Sequence, residues 1–181
     1  MASDDAAVVQ RVIAGETNDY RTLVERHQQA IYRFLFSLLG HRHEAEDVAQ
    51  AVFLAAYSNL ASFDARRAKF STWLFTIARN RAINRLKRAR VPVTGVSVAE
   101  PMDRYPPSDL IEEVETLQHI DRAVSALPLD QKTVFVLAEI ERLSHAQIAE
   151  IEKIAIGTVK SRPSRAKTRL RSALKEFARG S

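Results

Sequence analysis

Cysteine is absent from the 181-residue chain, which excludes a disulfide framework, thiolate metal ligation and thiol redox chemistry and fits a reducing compartment. Glycine and proline are scarce, at 5 and 6 residues, so long stretches run without a breaker, and their apolar spacing is helical rather than alternating. No apolar run approaches the roughly 20 residues of a membrane span. The opening M-A-S-D-D-A-A carries acid where a secretory signal carries base. Together these absences predict an all-α, cytoplasmic protein with no direct membrane insertion. No glycine-rich phosphate loop and no nucleophile motif occurs, so we expect no enzyme, no catalytic residue, no cofactor and no small-molecule substrate. The five histidines are scattered, apart from His41 and His43 near a helix start, and lack ligand-spaced carboxylates. No metal site is expected.

What the chain does have is charge in blocks. The formal net charge of +5 conceals -3 over residues 1–60 (five basic, eight acidic) and +8 over 61–93 (nine basic, one acidic). It then swings to -6 over 94–130 (two basic, eight acidic) and +6 over 131–181 (eleven basic, five acidic). Two basic blocks separated by an acidic one predict nucleic acid touched at two places, against the plainer reading of two solvated helix faces.

Helical signals run over 4–14, 20–39, 44–60 and 71–88. Gly15 and Gly40 stand where the first two should stop, Ser71 stands where a cap for the fourth belongs, and 61–70 reads as a basic loop. Residues 91–108 hold four of the six prolines without helical period and read as a linker. The chain thus divides into two small helical domains, 1–90 and 109–181. In the second, Leu110, Ile111, Val114, Leu117, Ile120, Val124 and Leu127 mark one helix, and Pro128 introduces another through Ile140.

Between Leu143 and Leu174 two amphipathic helices meet at a tight connection, which is the pattern of a DNA-reading helix-turn-helix. Ile156, Val159, Pro163, Ala166, Leu170, Ala173 and Phe177 recur at steps of three and four, the stripe of a buried face. The opposite face carries Thr158, Lys160, Ser161, Ser164, Arg165 and Thr168, donors suited to phosphate oxygens and base edges. Ser144, with Gln147 three residues on, forms a capping-box signature.

The order L-P-L-D-Q-K-T-V-F-V-L, L-S-H-A-Q-I-A-E, G-T-V-K-S-R, R-A-K-T-R-L resembles the C-terminal domain of bacterial sigma factors of the extracytoplasmic-function (ECF) group of the sigma-70 family. Upstream, A-E-D-V-A-Q-A-V-F resembles the group's polymerase-binding helix, and F-S-T-W-L-F-T-I-A-R-N-R-A-I-N-R-L-K-R its promoter-melting helix. The resemblance implies a two-domain subunit that directs core RNA polymerase to promoter DNA under the control of an anti-sigma factor. It implies polymerase contacts at Asp47, Gln50 and Phe53, although Phe53 also suits an ordinary core. For the minus-ten element it implies Arg66, Arg67, Lys69, Phe70, Ser71, Trp73, Asn80, Asn84 and Arg85. Lys69 and the arginines suit phosphates, Phe70 and Trp73 suit stacking and the asparagines suit base edges; Trp73 is equally suited to packing between helices. For the minus-thirty-five element it implies Thr158, Lys160, Ser161, Ser164 and Arg165 near bases, with Arg162, Lys167 and Arg169 on phosphates.

Four positions depart from the group's pattern. Ala51 stands where an acidic residue is usual. Glu152 and Lys153 replace a Leu-Gly pair in the turn, which predicts a looser or reshaped connection, since a left-handed lysine costs on the order of 1 kcal/mol. Pro163 lies well inside the recognition helix, where a proline costs roughly 3 kcal/mol, and this predicts a kink or break at 161–164. These departures keep open a sigma-like partner-binding protein impaired in initiation. A second alternative is a self-sufficient helix-turn-helix repressor, which the first-half motifs disfavour.

Overall fold

A computed structural model describes residues 4–89, 120 and 122–180, and among these every regular element is helical. The linker at 91–108 and the apolar positions Leu110, Ile111, Val114 and Leu117 lie outside the described residues. Helix α1 spans Asp4–Ile13, α2 Tyr20–Leu39, α3 Arg42–Ser58 and α4 Phe70–Ala89. Short 3-10 turns at Thr17–Asp19 and Leu60–Ser62 precede α2 and follow α3. As expected, α2 ends where Gly40 takes up φ 78° and its N–H donates to the Phe36 carbonyl.

Ser71 does not cap α4. The helix begins one residue earlier, and the Lys69 carbonyl accepts the first helical bond from Trp73 N–H at 3.1 Å. The reason is aromatic. Phe70 is pulled into the core against Phe63, with ring centroids 5.5 Å apart and nearly perpendicular, so the helix starts on a buried residue. Farther along, Leu74, Phe75, Ala78 and Ala82 form the buried stripe of α4, and Phe75 meets Phe34 of α2 edge to face.

In the second half, helical residues 122–125 lead to Pro128, which introduces α5, Leu129–Phe135, continued by a π-helical turn over Val136–Ile140. That wide turn closes with the Glu141 N–H donating to the Val136 carbonyl at 3.0 Å, and Arg142, at φ 57°, then redirects the chain. Helix α6 spans His145–Glu152 and α7 Ile156–Gly180. Ser144 caps α6 in a complete capping box with Gln147.

Two expectations about this head are corrected. Lys153 adopts a regular left-handed cap (φ 55°, ψ 45°) with its N–H on the Ala149 carbonyl, so the turn keeps the shape a glycine would give it. Helix α7 is not broken at Ser161–Ser164; it runs through Pro163 without interruption. The proline ring is buried between Val159 and Ala166, both without exposed surface, and α5 covers that face. Packing therefore offsets the lost backbone bond. The buried stripe is also shorter than its periodicity suggests, because Ile156 and Ala173 are exposed.

Replacing Pro163 by leucine restores an amide donor for the Val159 carbonyl. The melting temperature of the full chain should then rise by roughly 4 °C or more, read by circular dichroism. A fall would mean that the shape of the ring outweighs the missing bond.

Candidate nucleic-acid interface

Three surfaces carry the candidate residues. On the first, α4 meets the preceding loop. Asp64 organises that loop: its Oδ1 accepts from the Arg66 backbone N–H and Nε, and its Oδ2 from Arg66 Nη2, each at 3.0 Å. The Asp64 carbonyl accepts from Arg67 N–H at 3.0 Å. Arg66, Arg67 and Lys69 thus stand exposed along one short loop at the N-terminus of α4. Asn80 and Asn84, at four-residue spacing, are exposed about three and four turns farther along the helix. Ser71 is half-buried, and Arg85 donates to Glu44 of α3 at 2.7 Å. Phe70 requires a correction. At 2% exposure it is a core residue and has no face to offer a base. Trp73 is partly buried, 5.6 Å from the Phe63 ring and 5.7 Å from the Phe70 ring.

The second surface is an open groove of about 1180 Å³ between α2 and α3. Gln50 and Phe53 line it, while Asp47 is exposed on the same helix. Sequence reading missed the residues that give the groove its character: Tyr20, Val24 and Tyr32 on α2, with Leu54 and Tyr57 on α3. Leu54 is 69% exposed and Tyr57 43%, an unusual outlay of large apolar surface. The spacing of Tyr20, Val24, Gln28 and Tyr32 at four-residue steps is the signal that would have found this wall. Tyr20 fixes one end. Its hydroxyl donates to the Phe53 carbonyl at 2.6 Å, its ring meets Tyr57 at 4.9 Å, and burial pushes its pKa up to about 12.

The third surface is the start of α7. Thr158, Lys160, Ser164, Arg165 and Arg169 are exposed on it. The Ser161 hydroxyl donates back to the Thr158 carbonyl, Arg162 pairs with Asp130 at 3.4 Å, and Lys167 pairs with Glu139 at 2.8 Å. Arg162 and Lys167 therefore lean toward α5 and its π-helical extension rather than standing free. Across all three surfaces, no group of three His, Asp or Glu among the described residues is placed to hold a metal ion, and no described helix is long and apolar enough to cross a membrane.

Residues 23–91 match the family model described as Sigma-70 region 2, and residues 117–170 match that described as Sigma-70, region 4. The chain is similar to the ECF RNA polymerase sigma factor SigW of Bacillus subtilis, at 35% identity over 93% of this chain and 96% of that one. This chain belongs to the ECF RNA polymerase sigma factors. It is also similar to the ECF RNA polymerase sigma-E factor of Haemophilus influenzae, at 35% identity over 90% of this chain and 91% of the relative. Among solved structures, the sigma factor RpoE of Bartonella quintana, crystallised with the anti-sigma factor NepR, aligns with a TM-score of 0.68 at 30% identity, covering 87% of this chain and 97% of that one. CnrH, solved with the cytosolic domain of CnrY, shares the fold, with a TM-score of 0.72 at 22% identity over 94% of this chain and 96% of that one. For this sigma factor, α4 and its loop fall within the region 2 match, and the helix-turn-helix within the region 4 match.

The Arg66 hydrogen bonds, side-chain first and then backbone, together with the charges of Arg66 and Arg67, hold the Asp64 carboxyl down at about 2. Because the folded value lies below the unfolded one of about 3.9, the stabilisation is present above about pH 4 and is lost as pH falls through about 2. An NMR titration of the Asp64 carboxyl carbon should have its midpoint near pH 2; a midpoint near 3.9 would show that the Arg66 fork does not form in solution.

Proposed function

We propose that this sigma factor directs core RNA polymerase to promoters through two DNA contacts and one protein contact. The first domain, 1–90, holds polymerase along the α2–α3 groove, with Asp47, Gln50 and Phe53 on its α3 side. The same domain opens the minus-ten element. Arg66, Arg67, Lys69 and Arg85 attract the backbone, and Asn80 and Asn84 meet base edges. Ser71 and Trp73 border that site. After the linker at 91–108, the second domain, 109–181, reads the minus-thirty-five duplex. Thr158, Lys160, Ser161, Ser164 and Arg165 approach bases, and Arg162, Lys167 and Arg169 approach phosphates.

The observation that carries this reading is the exposure of two basic helical faces, one in each sigma-70 region match, beside an apolar groove that carries no DNA-binding charge cluster. That groove suits helical partner surfaces. It also suits an anti-sigma factor, which would hold the subunit inactive by covering it; the similar sigma factor RpoE was crystallised with one, NepR. The reaction belongs to the polymerase, and the sigma factor contributes recognition and strand capture in the cytoplasm.

Run-off transcription with purified core enzyme tests the reading: the chain should support initiation from its cognate promoter, where core alone does not. The double substitution Asn80→Ala with Asn84→Ala should reduce that initiation by about tenfold or more, with polymerase binding retained. DNA binding without any effect on polymerase would favour a repressor, and polymerase binding without initiation would favour a partner-binding protein.

A further inference from the structure

The two halves of the chain are packed onto each other, and the contact is charged as well as apolar. Helix α6 lies against α4, and the π-helical turn lies against α2. Val134, Val136, Leu137, Ile148 and Ile151 join the same buried cluster as the core of the first half. Around that seam stand three polar links. Arg33 of α2 grips Glu141 with two bonds, Nε to Oε1 at 3.2 Å and Nη2 to Oε2 at 3.0 Å. Arg79 of α4 donates from Nε to Glu152 Oε1 at 3.1 Å. Between them, the Gln147 amide donates to the hydroxyl of Thr72 at 3.0 Å. The side chains of Glu141 and Glu152 are each only 4% exposed. Buried carboxylates of this kind are costly unless paired, so each depends on an arginine of the other half.

We infer that Glu141 and Glu152 form an intramolecular latch that holds this chain closed and occupies a cation of the melting helix before DNA arrives. The inference rests on the promoter reading above in one respect, the distance to be spanned. Elements named for minus ten and minus thirty-five are centred about 25 base pairs apart, or about 85 Å along the duplex. A compact chain of this length has a radius of gyration of about 16 Å. The closed form cannot reach both elements, so the halves must separate before both are engaged.

The latch also has a chemical logic. Arg79 stands on the same helix as Asn80 and Asn84, and a carboxylate from the reading head fills the place a phosphate oxygen would take. Closing therefore covers a cation of the candidate melting helix with the other domain, and the arriving polyanion competes directly with Glu152. The position is distinctive because Glu152 stands in the motif turn where the ECF pattern has an apolar residue. An apolar side chain there could pack at the seam but could not pair with Arg79. The departure from the pattern thereby adds polarity, and with it reversibility, to an apolar contact.

The absence of cysteine gives a clean test. Ser58→Cys and Ser172→Cys introduce one spin label in each half at exposed positions away from the latch. Double electron–electron resonance on the full chain, without polymerase or DNA, should give one short, narrow distance. Adding Glu141→Gln and Glu152→Gln should raise a longer, broader population by about tenfold. The exchange Arg79→Glu with Glu152→Arg should restore the short distance, which a merely unfolded variant would not do. A long, broad distribution in the parent, or an unchanged short distance in the Glu141→Gln and Glu152→Gln protein, would overturn the latch. Failure of run-off transcription would leave these distances untouched, and failure of the latch would leave the transcription result untouched.

Discussion

Ala78 and Ala82 have no exposed surface, and these small side chains let α2 and α3 lie close against α4 on one side while α6 covers it on another. That burial of a single basic helix on more than one side is the constraint from which the rest follows. A helix so confined exposes only one side of its C-terminal half, where Asn80, Arg81 and Asn84 stand with Arg85, Lys87 and Arg88. The aromatic group of Phe63, Phe70 and Trp73 anchors its N-terminal end, which fixes where the basic loop begins. The other end is tied to α3 through Arg85 and Glu44. The candidate DNA surface is therefore built on a rigid element, with a short loop as its only adaptable part.

The groove and the helix-turn-helix follow a different economy. In the groove, Leu54 and Tyr57 remain exposed although they could have been polar at little local cost. Exposed apolar area on a rigid wall is what a partner helix requires, and the Tyr20 hydroxyl bond to the Phe53 carbonyl keeps that wall in register. In the helix-turn-helix the strain is backbone strain: a left-handed lysine at 153 and a proline at 163. Both are tolerated because the surrounding packing determines the conformation more strongly than either residue opposes it.

Local signals made most of the helices legible in advance. The limits of α2 were readable because a glycine ends it in the left-handed region and an unbroken amphipathic period precedes that glycine. The capping box at Ser144 was readable because both partners lie within one turn. Phe70 was misjudged because helical period does not distinguish a buried from an exposed aromatic at a loop–helix junction, where the phase of the helix is not yet set. Pro163 was misjudged because its cost is local and its compensation comes from α5. Glu152 is the clearest case. Read along the chain it was a poor packing residue, and its partner Arg79 lies 73 positions away, a separation no spacing rule covers.

One consequence of the pairing pattern lies in solution thermodynamics. Arg66, Arg85, Arg162 and Lys167 each already face a carboxylate of their own chain, Asp64, Glu44, Asp130 and Glu139 respectively. When such a cation transfers to a phosphate, the DNA sheds a condensed counterion, but the orphaned carboxylate recruits one from solution. The gain in mixing entropy from released ions is then partly returned. Affinity should therefore depend on ionic strength less steeply than the number of basic residues at the interface implies. A protein built this way trades some electrostatic drive for a binding strength that varies less with the salt of its surroundings.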